Sequence, residues 1–193
     1  MNTINIIFCG LGGQGILFMT KVLAQTAMSQ GFTVLGAETH GMAQRGGSVI
    51  SHLRLGDVES SLVSRGKAHF LLALDENESY RSLPFLSKGG GLFVNSNNSG
   101  FPRDEVKKYL ETKEIQYHHT AASEVAMSLD APRSSNLALL GFFSPFMGEL
   151  IQDKDIRATI ETISPARFKE INLKVFNAGH ENGLAEKGSK IKA

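Results

Sequence analysis

A glycine-rich turn between an apolar run and a helical pattern is the feature that most restricts the fold of this chain. Residues 4–9 are mostly apolar and predict a buried strand, while residues 16–30 carry apolar side chains at helical spacing. The turn between them has the spacing G-x-G-x-x-G, which brings backbone N–H groups and the positive end of the helix dipole into one space. This turn predicts a contact with an anion or a nucleotide. The residues of the predicted contact are Gly10, Gly12, Gly13, Gln14 and Gly15.

A second glycine-rich loop follows the next apolar run, residues 32–37. If the two strands are parallel, both loops emerge at the carboxyl edge of the sheet, where open α/β sheets bind their ligands. The second loop is rich in donors, and its arginine suits phosphate or carboxylate, while its glycines allow close backbone approach. The predicted contact residues of this loop are Glu38, His40, Gln44, Arg45, Gly46 and Gly47.

Glu38 has two interpretations at the end of the predicted second strand. It lies about twenty residues beyond the first loop, where a carboxylate binds the ribose in NAD enzymes. Alternatively, the second loop is structural and Arg45 pairs with Glu38. The donor-rich sequence after Glu38 argues against an NAD site, because a ribose-binding carboxylate needs only to reach two hydroxyl groups.

The rest of the chain divides into a strand-containing part and a helical part. Runs with strand character occur at 48–55, 68–74, 91–95 and 115–119, and the segments after residue 120 have helical spacing. His52 and Arg54 share one face of the 48–55 strand, where they either extend an anion site or face a partner subunit. The dense apolar segment Leu137–Met147 is either core or a subunit contact.

These patterns predict an α/β fold, Rossmann-like, with a mainly parallel, doubly wound sheet and a helical C-terminal extension. We predict a single domain over residues 1–180, with the sheet in residues 1–120 and the helical portion in residues 121–180. Residues 181–193 are predicted to form a polar tail that is frayed or ordered only against a partner.

Composition limits the functions that this chain can have. The formal net charge is +1, and no long basic tract indicates nucleic acid. No basic leader or apolar stretch of membrane-spanning length occurs, so we expect a cytoplasmic protein. The single cysteine, Cys9, excludes an iron–sulfur cluster held by cysteines of this chain alone, and we predict that it is a core residue. No motif predicts a catalytic residue, and His118 and His119 are interpreted as polar strand-end residues rather than metal ligands.

At its two loops the chain resembles the gamma subunit, or gamma domain, of the 2-oxoacid:ferredoxin oxidoreductases. The similar layout extends to about residue 150. Within the family, the form His-Gly-Met-x-Gln-Arg-Gly-Gly and the stand-alone length look most like the small, beta subunit of indolepyruvate:ferredoxin oxidoreductase. The segments that carry the resemblance are 10–15, 31–34, 38–49, 51–54 and 135–141.

The resemblance implies a subunit of an oxidoreductase. Such enzymes decarboxylate a 2-oxoacid on thiamine diphosphate, pass electrons through iron–sulfur clusters to ferredoxin and release an acyl-CoA. It implies that thiamine diphosphate and the clusters belong to a large alpha subunit, that this chain is inactive alone, and that its loops help to form the coenzyme A site. The substrate implied is indolepyruvate or another aryl 2-oxoacid. Two alternative functions remain open: a stand-alone nucleotide- or NAD-binding protein, and an assembly subunit whose loops serve only packing. A homodimer of the isolated chain also remains open.

Overall fold

A mixed sheet forms the centre of the computed structural model, which describes residues 3–41, 46–148 and 150–190, without the side chains of His40 and Lys190. In the described part the sheet has six strands in the order β2-β3-β1-β4-β5-β6. In chain order the strands are β1 (Ile4–Leu11), β2 (Val34–His40), β3 (Ser48–Leu55), β4 (Ala68–Ala73), β5 (Leu86–Asn95) and β6 (Gln116–Thr120).

Five strands of the sheet run in one direction and β3 runs in the other. β1, β4, β5 and β6 are parallel neighbours, whereas β3 is antiparallel to both β1 and β2. The short connection between β2 and β3, residues 41–47, permits only an antiparallel pair, because parallel neighbours need a longer crossover. The predicted α/β class and the mainly parallel sheet are confirmed, with β3 as the reversed strand.

Helices cover both faces of the sheet. On one face α1 and α5 pack against a core that includes Ile6 and Phe8 of β1, while α2 and α3 pack with Ile7 and Cys9 on the other. This division follows from the alternation of side chains along a strand. The helices are α1 (Ile16–Ser29), α2 (Glu76–Ser82), α3 (Asp104–Thr112), α4 (Ala122–Ser128), α5 (Ser135–Phe143), α6 (Asp153–Ile163) and α7 (Lys169–Lys190).

The dense apolar segment predicted as core or subunit contact is core. Every residue of α5 after Ser135 is buried. Phe143 packs edge-to-face on Phe70 and Phe93, at ring-centroid distances of 5.1 and 4.8 Å. α5 therefore lies between the sheet and α7 and has no face left for solvent.

Glycines allow α5 and α7 to approach each other closely. A Cβ atom added at Gly179 of α7 would overlap the carbonyl oxygen of Ala138, and one added at Gly183 would overlap that of Phe142. Gly179 and Gly183 are one turn apart and so lie on the same side of α7. This side of α7 packs backbone to backbone on α5, which explains the glycine spacing in a long helix.

The prediction of a frayed polar tail is wrong for residues 181–190, because α7 continues to Lys190. Gly183 packs on α5, and the Glu186 carboxylate lies 3.0 Å from Nδ1 of the buried His118. Tertiary contacts of this kind override a polar sequence that would fray in isolation. Although α7 has 22 residues, neither it nor any other helix in the described ranges is long and apolar enough to cross a membrane.

Candidate functional site

The neighbouring strands β1 and β4 end at a crevice in the sheet edge. The helices that follow them lie on opposite faces, since α1 follows β1 on one face and α2 follows β4 on the other. Such a reversal between parallel neighbours opens a crevice outside the carboxyl ends of the strands, where open α/β sheets bind ligands. The first glycine loop, residues 10–15, forms one wall of this crevice.

Two glycines of this loop adopt the left-handed backbone conformation. Gly13 has a φ of 100° and Gly15 a φ of 82°. Gly15 is the N-cap of α1 and offers no capping side chain. The N–H groups in the first turn of a helix have no intrahelical acceptor, so the first turn of α1 presents backbone donors to an anion.

Hydrogen bonds inside the protein occupy several other polar groups of the loop. The Gln14 side-chain oxygen accepts from Leu11 N–H at 2.7 Å, and Gln14 N–H donates to the Leu11 carbonyl at 3.1 Å. Gly12 N–H donates to the carbonyl of Gly47 at 2.9 Å, which joins the two glycine loops. A Cβ at Gly10 would lie 2.6 Å from the Gln14 side-chain oxygen, so a larger residue there would displace the Gln14 side chain. These contacts give Gly10, Gly12 and Gln14 a structural role in the loop. Ligand contact by the same three residues stays a prediction.

The second glycine loop lies at the same edge of the sheet as the first. Gly41 N–H donates to the Ser48 carbonyl at 2.9 Å, which closes the connection between β2 and β3. Gln44 and Arg45 lie outside the described residues, as does the His40 side chain. Ligand contacts by these residues and by Gly46 and Gly47 stay predictions.

Glu38 does not stand at the end of its strand as expected, because β2 extends to His40. The register places Glu38 beside Ser51 of β3, and Ser51 in turn beside Phe8 of β1. Two strand spacings, about 10 Å, therefore separate the Glu38 backbone from β1. A ribose-binding carboxylate in an NAD site follows the strand next to β1, so this topology weakens the NAD interpretation.

A buried carboxylate of α2 contacts the start of β3, directly after the second loop. Glu78 is 2% exposed. One of its oxygens accepts from the Ser48 hydroxyl at 2.6 Å, and the other accepts from the Arg81 guanidinium at 2.6 Å. The Arg81 side chain is 71% exposed. Sequence reasoning missed this cluster, although the i,i+3 spacing of Glu78 and Arg81 was a usable local signal.

Two arginines line a cavity of about 430 Å³ at the crevice, next to Leu11 of the first loop. Arg81 is one of them, and Arg103 is the other. The Arg103 guanidinium donates to the Asn77 side-chain oxygen at 2.8 Å and lies 5.1 Å from the centre of the Tyr80 ring. The crevice therefore has two arginines that the sequence analysis did not assign to it, together with the carboxylates of Asp75 and Glu78.

Asp75, which follows β4, caps α2. Its carboxylate accepts from the backbone N–H groups of Asn77 and Glu78 at 2.9 and 3.1 Å. A capping carboxylate satisfies helix N–H groups that would otherwise lack acceptors. Asp75 is thus engaged in local structure.

A second cavity, the α1–α5 cavity, lies beside Gly15 and measures about 580 Å³. The first turn of α1, the segment between α4 and α5 and the start of α7 form its walls. The Asn136 amide donates to the Gly15 carbonyl at 3.0 Å and so joins α5 to the glycine loop. The sequence offered one signal for this contact, the family-like segment 135–141, without showing what it touches.

His52 is buried and Arg54 is half-buried, and hydrogen bonds within the chain hold both side chains. Nδ1 of His52 accepts from Val63 N–H at 3.2 Å, and burial lowers the pKa of His52 below its usual value. Arg54 donates to the Asn5 side-chain oxygen at 2.9 Å and to the Ser60 carbonyl at 2.8 Å. Both residues hold the segment after β3 against the sheet, a long-range role that strand periodicity does not reveal.

Cys9 is completely buried. Burial is the main reason why its pKa rises to about 12, and nearby Glu78 and Asp75 raise the pKa further. A thiol of this kind is not a nucleophile near neutral pH, because the thiolate is the reactive form. The core role predicted for Cys9 is confirmed.

Comparison with known sequences shows a family over almost the whole chain. Residues 5–182 match the family described as pyruvate ferredoxin/flavodoxin oxidoreductase. A protein named indolepyruvate oxidoreductase subunit IorB from Methanothermobacter thermautotrophicus is 30% identical, over 91% of this chain and 95% of its own. The protein of the same name from Thermococcus kodakarensis is 32% identical, over 93% of this chain and 95% of its own.

Solved structures share the fold. The gamma subunit of a keto/oxoacid ferredoxin oxidoreductase from Geobacter sulfurreducens matches with a TM-score of 0.74 at 23% identity, covering 94% of this chain and 99% of that one. A 2-oxoglutarate:ferredoxin oxidoreductase from Magnetococcus marinus, with 2-oxoglutarate, coenzyme A and succinyl-CoA bound, has a TM-score of 0.78 at 17% identity. The match covers 96% of this chain and 32% of that longer chain.

The α/β fold of this chain is thus the one seen in the gamma subunit from Geobacter sulfurreducens. With the family match over most of its length, the chain belongs to the pyruvate ferredoxin/flavodoxin oxidoreductase family. The resemblance deduced from the two glycine loops is thereby confirmed.

Proposed function

We propose that this chain is the small subunit of a 2-oxoacid:ferredoxin oxidoreductase that acts on indolepyruvate or another aryl 2-oxoacid. The observation that carries the proposal is similarity over nearly the full length of proteins named indolepyruvate oxidoreductase subunit IorB. In the proposed reaction the 2-oxoacid loses carbon dioxide and its acyl group is transferred to the sulfur of coenzyme A. The electron pair released by this oxidation passes to ferredoxin.

The proposed complex divides the chemistry between two subunits. The large alpha subunit would hold thiamine diphosphate, which supplies carbanion chemistry at the oxo carbon, and the iron–sulfur clusters, which transfer electrons. The only cysteine of this chain is buried with a raised pKa, so it does not fit a cluster-ligand role. We assign no catalytic residue to this chain and expect it to be inactive alone.

Within the complex, the glycine-loop crevice is the proposed contact for coenzyme A. Coenzyme A carries a pyrophosphate and a ribose phosphate, and both favour backbone N–H groups and guanidinium groups. The uncapped start of α1 at Gly15 offers the first kind of donor, while Arg81 and Arg103 offer the second. A Cβ added at Gly13 would meet no atom within 4 Å, so the described loop is open on this side. Arg45 is a further predicted contact.

The experiment that tests the subunit assignment is anaerobic purification of the tagged chain from its native cells. We expect a large iron–sulfur protein to co-purify, and we expect the complex to reduce ferredoxin with indolepyruvate and coenzyme A. Elution of the chain alone, together with a spectral change on titration with NADH, would contradict the proposal. That result would support the stand-alone nucleotide-binding hypothesis.

Steady-state kinetics of the complex separate coenzyme A contact from packing. For Arg81→Gln and Arg103→Gln we expect the KM for coenzyme A to rise about tenfold, since the loss of one charge-assisted contact costs about 1.4 kcal/mol. The KM for the 2-oxoacid should stay unchanged. Arg65→Gln is the matched control, because Arg65 is exposed and does not line the crevice. An unchanged KM for coenzyme A with a lower yield of assembled complex would favour a purely structural role for the loops.

A further inference from the structure

The α1–α5 cavity has the size and the walls of a small-molecule site. Its volume of about 580 Å³ falls within the range of roughly 300–1,000 Å³ that ligand pockets occupy. Apolar side chains dominate its walls, and Phe168 at the rim is 45% exposed. A ligand with an apolar body gains free energy by covering such a surface. The apolar wall residues are Phe18, Pro132, Leu137, Pro165, Phe168 and Ile171.

The neutral polar groups of the cavity bond mainly to one another. The Asn136 amide donates to the Gly15 carbonyl, and the Asn172 amide donates to the Ser164 hydroxyl, both at 3.0 Å. The Ser134 hydroxyl donates to the Asn172 side-chain oxygen, also at 3.0 Å. Because these neutral side chains are already paired, Arg133 is the lining side chain with donors left for a ligand, beside the backbone N–H groups at the start of α1.

Arg133 is the cationic side chain of this cavity. It is exposed, and the ion pairs formed between described residues do not include it. Its guanidinium can bind a carboxylate through two parallel hydrogen bonds. Asp130 lines the same cavity, and its carboxylate repels a bound anion. With one arginine and one aspartate in its lining, the cavity favours a singly charged carboxylate over a doubly charged phosphate.

We propose that the α1–α5 cavity binds a small monocarboxylate with an aromatic or branched apolar body, with its carboxylate at Arg133. The apolar body lies against Leu137, Ile171 and Phe168. Gly15 borders both this cavity and the crevice that we assign to coenzyme A, whereas Arg133, Phe168 and Ile171 line the α1–α5 cavity and not the cavity of Arg81 and Arg103. The residues that form the α1–α5 cavity all lie on this chain, so its test does not depend on the partner subunit or on the activity of the complex.

Isothermal titration calorimetry of the full chain with 3-phenylpropanoate tests the proposal. 3-Phenylpropanamide and acetate serve as comparison probes. We expect saturable binding of 3-phenylpropanoate, at least about tenfold weaker binding of the amide, and no saturation with acetate up to about 10 mM. Arg133→Gln should weaken binding of 3-phenylpropanoate about tenfold and leave binding of the amide unchanged. Phe168→Ser should weaken both aromatic probes, and Asp130→Asn should tighten binding of the carboxylate. Arg65→Gln is the control and should change nothing, because Arg65 does not line the cavity.

Three results would overturn the proposal. The first is equal affinity of wild type and Arg133→Gln for 3-phenylpropanoate, and the second is equal affinity of wild type for the acid and its amide. The third is the absence of saturable binding of 3-phenylpropanoate up to about 10 mM. If, in addition, cavity residues gain protection from hydrogen exchange only when a large subunit is added, the cavity is a subunit contact instead.

Discussion

The side-chain amide of Asn136, the second residue of α5, donates a hydrogen bond to the backbone carbonyl of Gly15 at 3.0 Å. The two residues are 121 positions apart in the chain. Asn136 is 3% exposed, and its side-chain oxygen accepts from Leu137 N–H at 2.9 Å. The helical C-terminal part of the chain therefore sets the position of the glycine loop at the start of α1.

Replacement of Asn136 by leucine should destabilise the protein. The substitution removes a buried donor from Gly15 and an acceptor from Leu137, and the loss of such partners costs about 1–3 kcal/mol. Denaturation with urea measures this change. Asn182→Leu is the control, because Asn182 is exposed on α7, and its free energy of unfolding should differ little from that of wild type. Equal stability of the two variants would contradict the structural role of Asn136.

Alanine substitutions at two glycines of α7 should change the free energy of unfolding in opposite directions. Gly179→Ala forces a methyl group against the Ala138 carbonyl, so we expect a loss of about 1–3 kcal/mol. Gly188→Ala places its methyl group in open space, so we expect a gain of up to about 1 kcal/mol from helix propensity. Thermal unfolding of both variants provides the comparison. A similar response at both positions would show that α5 and α7 do not pack as closely as described.

Stability should fall when the pH is lowered through the range in which histidine titrates. Burial lowers the pKa values of His52 and His180 in the folded chain below the usual 6.5, so the unfolded chain binds more protons in this range. Their contribution is complete above pH 6.5 and is lost as the pH falls from 6.5 toward the folded-state pKa values. For each histidine, the free energy of unfolding changes by at most about 1.4 kcal/mol per pH unit.

His52→Gln should make the free energy of unfolding less dependent on pH. Urea denaturation at about pH 7.5 and about pH 5.5 measures the difference for the variant and for wild type. His119→Gln is the control, because His119 is exposed. An equal decrease of stability in wild type and His52→Gln would contradict the contribution of His52.

The thiol of Cys9 should be unreactive in the native chain. Complete burial and a pKa of about 12 leave almost no accessible thiolate at neutral pH. A colorimetric thiol reagent at about pH 8 should therefore label Cys9 only after denaturant is added. Labelling of the folded chain within minutes would show that the core around β1 opens readily.

Local patterns predicted most of the elements because each pattern depends on nearby residues. The strand Ser48–Leu55 was predicted with the bounds that the structure has, and the helical character of the chain after residue 120 was predicted as well. The end of α7 was missed, because the polar residues near its end are held by contacts with distant parts of the chain. At the crevice, the glycine loops were recognised from spacing, whereas Arg81 and Arg103 were not, since their positions depend on how α2 and α3 pack.

The sequence by itself determined the α/β class, the family and the two glycine loops, because these follow from periodicity and from glycine spacing along the chain. Only the tertiary structure decided that β3 lies between β1 and β2, that Glu78 joins Ser48 to Arg81, and that a cavity opens beside Gly15. The physical reason is that contacts between distant residues depend on packing geometry and on the burial of polar groups. Neither is encoded in the order of neighbouring residues.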